Sequence, residues 1–364
     1  MTNTSVLAQV LINPEQAKQL SLQEWDLLIQ QGYCSSLLAR IMNRLEPHNI
    51  EIPAQALIHL KSAQTKAKAH AEDVIIEIDA IIKALKPAGI TPVFLKGAAY
   101  IIAKDQAASG RFFSDVDVFV PQTCLATAEQ FFKWQGWKQE SLDVYDEQYY
   151  RRWMHEIPAL IHQKRGTALD VHHNLLPLIG RIKIDSALLQ QTISTGQLTL
   201  SSQDRLLHSA VHLFCSGELI HGFRDLSDLD LMVRQFSNED SGFWNKLLDR
   251  SDQLGVGRLL YYSLRYSERH LRTPIPLAVK DRINDNAPNP IILMFIDTLF
   301  DRALPPHHSS CRRSFRNTAL MLLLIRSHWL KMPLTTLIPH LLRKAVVNPI
   351  KNRGQTAEQT TGQN

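Results

Sequence analysis

Between Phe94 and Val120 the chain reads FLKGAAYIIAKDQAASGRFFSDVDVFV, and this stretch limits the possible folds more than any other. A short apolar run ends at Lys96-Gly97, a helical pattern follows, and SDVDVFV then alternates polar and apolar residues with period two, as a strand does. Alternate side chains of a strand point to opposite faces, so Asp115 and Asp117 share one face while Val116, Val118 and Val120 take the other. Two rises of about 3.4 Å place the carboxylates about 7 Å apart along the strand, a gap that side-chain rotamers can close. A charge inside a buried strand costs several kcal/mol unless it is paired, so the two acids point to a hard cation. Mg²⁺ takes oxygen ligands, uses one or two carboxylates, and leaves positions for substrate phosphates and water. Mn²⁺ accepts the same donors. Asp170, in TALDVHHNLL, offers a third acid on another strand-like run, 53 positions after Asp117.

The surrounding pattern predicts an α+β protein. Residues 1–85 read as a helical N-terminal module, with NPEQAKQLSLQEWDLLIQQGYCSSLLARIM and KSAQTKAKAHAEDVIIEIDAIIKALKPAGI apolar at helical spacing until Pro87 and Gly89 stop the second run. Residues 86–182 read as a core with a small mixed sheet and helices on one side of it. Its strands are TPVFL, SDVDVFV, WKQES, IPALIHQ and TALDVHH, and TCLATAEQFFKWQG is a helix between the second and third. Residues 183–345 return to helical spacing, opening at SSQDRLLHSAVHLFCSGEL with a serine N-cap. The polar tail 346–364 has no apolar periodicity and reads as disordered.

Composition narrows the class. A chain of 364 residues with 45% hydrophobic and 21% charged residues is an ordinary globular protein with modules around a core. Its first residues lack the basic region of a secretory leader, and no apolar run reaches the roughly 18 residues of a membrane span, so the reading is a soluble cytoplasmic protein. The cysteines Cys34, Cys124, Cys215 and Cys311 form no C-x-x-C pair, which disfavours a disulfide framework or thiolate zinc site and suggests small buried hydrophobes. Of the net charge of +5, residues from Arg302 onward carry +9, with ten Lys and Arg against Glu358 alone. This basic end lacks the interleaved aromatics of a single-strand groove, so nucleic acid is a conceivable but disfavoured partner.

The order of FLKGAAY, then Arg111 with SDVDVFV, then TALDVHHNL, then HGFRDLSDLD resembles the uncharacterised nucleotidyltransferase family of the DNA polymerase beta-like nucleotidyltransferase superfamily, from Val93 to Val233. The resemblance implies a minimal nucleotidyltransferase core, with Asp115, Asp117 and Asp170 as catalytic metal ligands and an NTP as co-substrate. It implies transfer of an NMP to an acceptor hydroxyl with release of pyrophosphate; the acceptor could be a small molecule, a peptide or a protein. Lys96, Gly97, Arg111 and Ser114 would lie at the triphosphate, where a strand feeds a helix N-terminus. Two departures stand out: Ala98 replaces the Gly or Ser that often follows the turn glycine, and 18 positions separate Gly97 from Asp115. The longer loop could shape an acceptor site or a lid.

Other readings compete. The fold could persist in a catalytically silent nucleotide- or partner-binding module, and the same metals would serve phosphoryl transfer. His172, His173, His208 and His212 lack a third ligand at zinc-motif spacing and read as satisfied or half-buried histidines, although His172 shares the face of Asp170. FRDLSDLD reads as a charged helix face with internal salt bridges. Trp329, with the ALMLLLI run, reads as core in preference to a membrane-lying helix.

Overall fold

A computed structural model describes residues 5–139, 144–185, 196–215 and 217–338. The tail expected to be disordered, 346–364, and the basic residues Arg343, Lys344, Lys351 and Arg353 lie outside the described residues.

Five short strands form one sheet: β1 (Val93–Phe94), β2 (Asp115–Phe119), β3 (Trp137–Gln139), β4 (Leu160–His162) and β5 (Ala168–His172), in the order β1-β2-β5-β4-β3. β2 and β5 are parallel and the other neighbours antiparallel, so the sheet is mixed and the chain α+β, as the sequence predicts. Val116, Val118, Val120, Leu169 and Val171 form one buried cluster with Ile78, Ile81 and Leu85 of the Ala54–Leu85 helix and Phe132 of the Leu125–Trp134 helix. That first helix runs 32 residues, about 48 Å at ~1.5 Å per residue, and gives way to a 3₁₀ turn at Lys86–Ala88 and a left-handed Gly89.

The helices are not confined to one side of the sheet. Val93, Leu95, Tyr100 and Phe119 leave apolar surface around the acids on the second face, and the Ser202–Cys215 helix covers it with Leu206, Leu207, Ala210 and Val211. Tyr100 Oη meets Ser209 Oγ at 2.5 Å across this contact. The same apolar cluster joins N-terminal Leu7, Trp25, Leu28 and Ile41 to Leu226, Leu260, Tyr266 and Phe300. Burying that area is the main stabilisation of the helical parts.

Local signals set several helix starts. Ser21 and Glu24 form a reciprocal capping box before Leu22–Cys34, and Ser201 Oγ accepts from Asp204 N at the head of Ser202–Cys215. The Val144–Trp153 helix is absent from the sequence expectations, which give VYDEQYYRRW no element. Of the cysteines only Cys215 is buried, and the others are half-buried and free. Trp329 is not core: it is 45% exposed, with the Arg181 guanidinium 4.2 Å from its ring centre. Among the described residues no helix is long and apolar enough to cross a membrane.

Candidate functional site

β2 and β5 lie side by side in a register that sets Asp117 directly opposite Asp170 and Asp115 opposite Ala168. The odd positions of β2 and Asp170 thus face away from the valine cluster, toward the Ser202–Cys215 helix. Asp115, Asp117 and Asp170 each offer one carboxylate oxygen, and the three oxygens lie within 4.8 Å of one another. Parallel neighbours are about 4.8 Å apart, so the register alone brings in the third acid.

Lys96 closes the group. It begins the Lys96–Ala103 helix in the left-handed region, φ +43°, and its Nζ donates to Asp117 Oδ1 at 2.6 Å. Gly97 serves a different purpose from the turn expected of it. Its φ is not left-handed; instead a Cβ there would stand 1.9 Å from Phe113 Cδ1, so glycine admits the Phe113 ring that precedes β2. Ser114 Oγ donates to Asp115 Oδ1 at 2.8 Å.

Arg111 stands elsewhere. Its Nη1 lies 2.5 Å from Asp228 and 3.2 Å from Asp225, both on the Gly222–Glu239 helix. Arg40 reaches the other oxygen of Asp228 at 2.8 Å, and both side chains are nearly solvent-free. The internal pairs expected of FRDLSDLD are present, Arg224 with Asp225 and Asp230 with Arg234, but the face is not solvated: Asp225 and Asp228 also neutralise Arg111 and Arg40 from two other segments in the interior. Arg40 also donates to the carbonyls of Ala107 and Ser109, and Arg205 holds Asp105 with two bonds of 2.7 Å. These contacts pin the 104–113 loop, which is not a free lid.

A cavity of about 260 Å³ opens on the acids, lined by Lys96, Asp115, Asp170, Glu156, His172 and Lys331, among others. Asp115 also borders a second cavity of about 380 Å³ on its other side, with His70, Glu77, Ser114 and Arg165. Burial pushes the Asp170 carboxyl up to about 7, and Asp117, Glu156 and Asp115 push the same way. Burial acts on Asp117 too, but the Lys96 ammonium and the His172 hydrogen bond outweigh it and hold this carboxyl well below the usual range. For Lys96 burial opposes the charge, and Asp117 with Asp115 and Glu156 overcomes it, keeping the ammonium firmly protonated. A carboxyl near 7 beside two other acids marks a site short of positive charge. An all-oxygen donor set in that condition fits Mg²⁺ or Mn²⁺.

His155, Glu156 and Lys331 at the cavity carried no sequence expectation, and His172 was expected only to share the face of Asp170. His172 Nε2 meets Asp117 Oδ1 at 2.9 Å, which turns the suspected neighbour of Asp170 into a partner of Asp117. Glu156 and His155 precede β4 with no motif to mark them. Lys331 arrives from the far end of the Arg316–Lys331 helix, held there by the Arg181 N–H, which donates to the Leu330 carbonyl at 2.8 Å. Only the basic bias of the C-terminal part hinted at it.

The strand-to-helix junction at Lys96-Gly97, the strand bearing Asp115 and Asp117 and the third acid opposite on a parallel neighbour are the elements on which the sequence resemblance to a nucleotidyltransferase core rests. The chain belongs to the uncharacterised nucleotidyltransferase family, whose model matches residues 21–272. That match is wider than the Val93–Val233 stretch carrying the motifs and takes in N-terminal helices from Ser21 onward. Neither a curated protein nor a solved structure matches the chain.

Proposed function

We propose that the chain moves an NMP from an NTP to an acceptor hydroxyl and releases pyrophosphate. The observation that carries this reading is the convergence of the Asp115, Asp117 and Asp170 oxygens on one point beside Lys96. Asp115, Asp117 and Asp170 would hold the divalent cations. Bound metal supplies Lewis-acid neutralisation of the phosphate charge. Asp170, whose carboxyl takes a proton near neutrality, is the group suited to accept the proton of the attacking hydroxyl. Lys331, which has no ion pair among the described residues, presents its ammonium to the same cavity and suits phosphate oxygens. The N-terminus of the Lys96–Ala103 helix adds partial positive charge. Arg111, neutralised by Asp225 and Asp228, contributes to the scaffold in this reading instead of to the triphosphate.

A second reading, a nucleotide- or partner-binding module without turnover, draws on one observation: Asp117 Oδ1 is already engaged by both Lys96 and His172. Incubation with each α-³²P-labelled NTP, Mg²⁺ or Mn²⁺ and a cell extract as acceptor source separates the two. Under the first reading wild type releases pyrophosphate and labels a product, and Asp117→Asn does neither. Nucleotide binding without release or label in any combination would reject turnover and leave the binding module.

A further inference from the structure

We infer that His155, Glu156 and His172 form a second metal site of zinc type, distinct from the three aspartates and facing the same cavity. His172 Nδ1 lies 3.4 Å from Glu156 Oε2, and His155 Nε2 lies 3.7 Å from the same oxygen. One donor atom from each of the three falls within 4.8 Å of the others. Two ligands on a tetrahedral Zn²⁺, with bonds of about 2.0–2.1 Å, stand roughly 3.3 Å apart. The two distances to Glu156 are thus close to those of a filled site.

The state of His172 supports an ion there over a plain hydrogen bond. The residue is 2% exposed, and its Nε2 faces Asp117, whose carboxylate only accepts, so Nε2 carries the proton. Nδ1 is buried and has no hydrogen-bond partner among the described residues, although a carboxylate oxygen is 3.4 Å away. An N–H···O bond needs near alignment, whereas two ligands of one ion meet at an angle. The resulting carboxylate–histidine–metal chain, Asp117 to His172 to the ion, is the usual support of a zinc-bound imidazole.

The backbone fixes this arrangement. Glu156 pairs with His172 in an antiparallel bridge, Ile157 N donates to Val171 O at 3.0 Å, and His173 N donates to His155 O at 2.8 Å. Two nitrogens and one carboxylate leave a fourth tetrahedral position toward the cavity, as in zinc sites that bind water or substrate. Two imidazoles select a borderline ion such as Zn²⁺, while the all-carboxylate group beside them suits Mg²⁺. The inference stands whether or not the chain transfers nucleotides.

The test is metal analysis of the full chain, stripped with chelator, loaded with Zn²⁺ and dialysed, together with the visible spectrum of the Co²⁺ form. Wild type and Asp170→Asn are expected to retain one Zn²⁺ per chain and to show the intense bands of four-coordinate Co²⁺. His155→Gln and Glu156→Gln are expected to lose affinity by more than the 10- to 100-fold that loss of a supporting contact costs. Circular dichroism melting of the metal-free variants establishes that they fold. Failure of wild type to retain zinc, or undiminished affinity in the two folded variants, overturns the site. Loss of zinc in Asp170→Asn also overturns it, because the ion would then sit on the aspartates.

Discussion

The Lys96 ammonium lies 2.6 Å from Asp117 Oδ1, and the lysine that supplies it sits at φ +43°, where only glycine is at ease. That conformation costs on the order of 1–2 kcal/mol, and the ion pair at the cavity floor is the visible compensation. Lys96→Met keeps the stem and removes the charge, leaving Asp117 with His172 alone beside two further acids. The variant should lose about 3 kcal/mol of stability in EDTA, the usual cost of breaking a buried pair. Mg²⁺ should raise its melting temperature more than that of wild type, because added positive charge replaces the missing ammonium. Equal responses to Mg²⁺ would mean that Lys96 and the metal do not share Asp117.

Gly97 makes a second prediction about the same turn. An added Cβ would overlap Phe113 Cδ1 at 1.9 Å, a contact that neither ring nor helix can absorb without moving. Gly97→Ala should cost about 1–3 kcal/mol in urea unfolding, and Phe113→Leu in that background should recover part of it by making room. A neutral Gly97→Ala would remove the packing explanation for this glycine.

The legible and illegible parts of the site divide by the range of the interactions. Period-two alternation is local, so the common face of Asp115 and Asp117 could be read directly, and the spacing of Asp170 suggested a neighbouring strand. The register Asp117 opposite Asp170 is set by strand pairing and required the structure. Arg111 shows the limit from the other side. Its place just before β2 suggested a phosphate or the nearby acids, but its partners, Asp225 and Asp228, are more than 110 positions away and reach it only through packing of the Gly222–Glu239 helix. His155 and Glu156 follow a helix absent from the sequence expectations, and no motif marked the segment that brings them to His172. The fold class was legible because helix caps and apolar periods are short-range, whereas the covering of the acid face by Ser202–Cys215 is long-range.

Asp228 tests the assignment of Arg111 to the scaffold. Arg40 and Asp228 are each 2% exposed, and Arg111 binds the second oxygen of the same carboxylate. Asp228→Asn would leave two interior guanidinium groups short of charge, so the expected loss is about 3–5 kcal/mol in chemical denaturation. Mg²⁺ affinity of the folded fraction should not change, since the network stands apart from the aspartates. A variant that kept full stability but bound NTP differently would return Arg111 to the triphosphate.

His208 gives the site a pH response of defined sign. The side chain is 4% exposed on the Ser202–Cys215 helix, with the Lys96 ammonium as the first charge that disfavours its protonation, the His172 and His212 imidazoles acting the same way whenever they are protonated, and Asp117 acting against them. Burial first, and the Lys96 ammonium after it, hold its imidazole well below the ordinary value of 6.5. The neutral form is therefore the one that folds. Its stabilisation is present above pH 6.5 and lost as pH falls, because the unfolded chain then takes up a proton that the folded chain refuses. The loss approaches about 1.4 kcal/mol per pH unit once the unfolded imidazole is protonated. In EDTA, denaturation midpoints of wild type should fall from pH 7 to pH 5 more steeply than those of His208→Leu, which has no proton to gain. Parallel slopes for the two proteins would show that His208 is charged or hydrated in the folded state, and that the roof over the aspartates is wetter than its packing indicates.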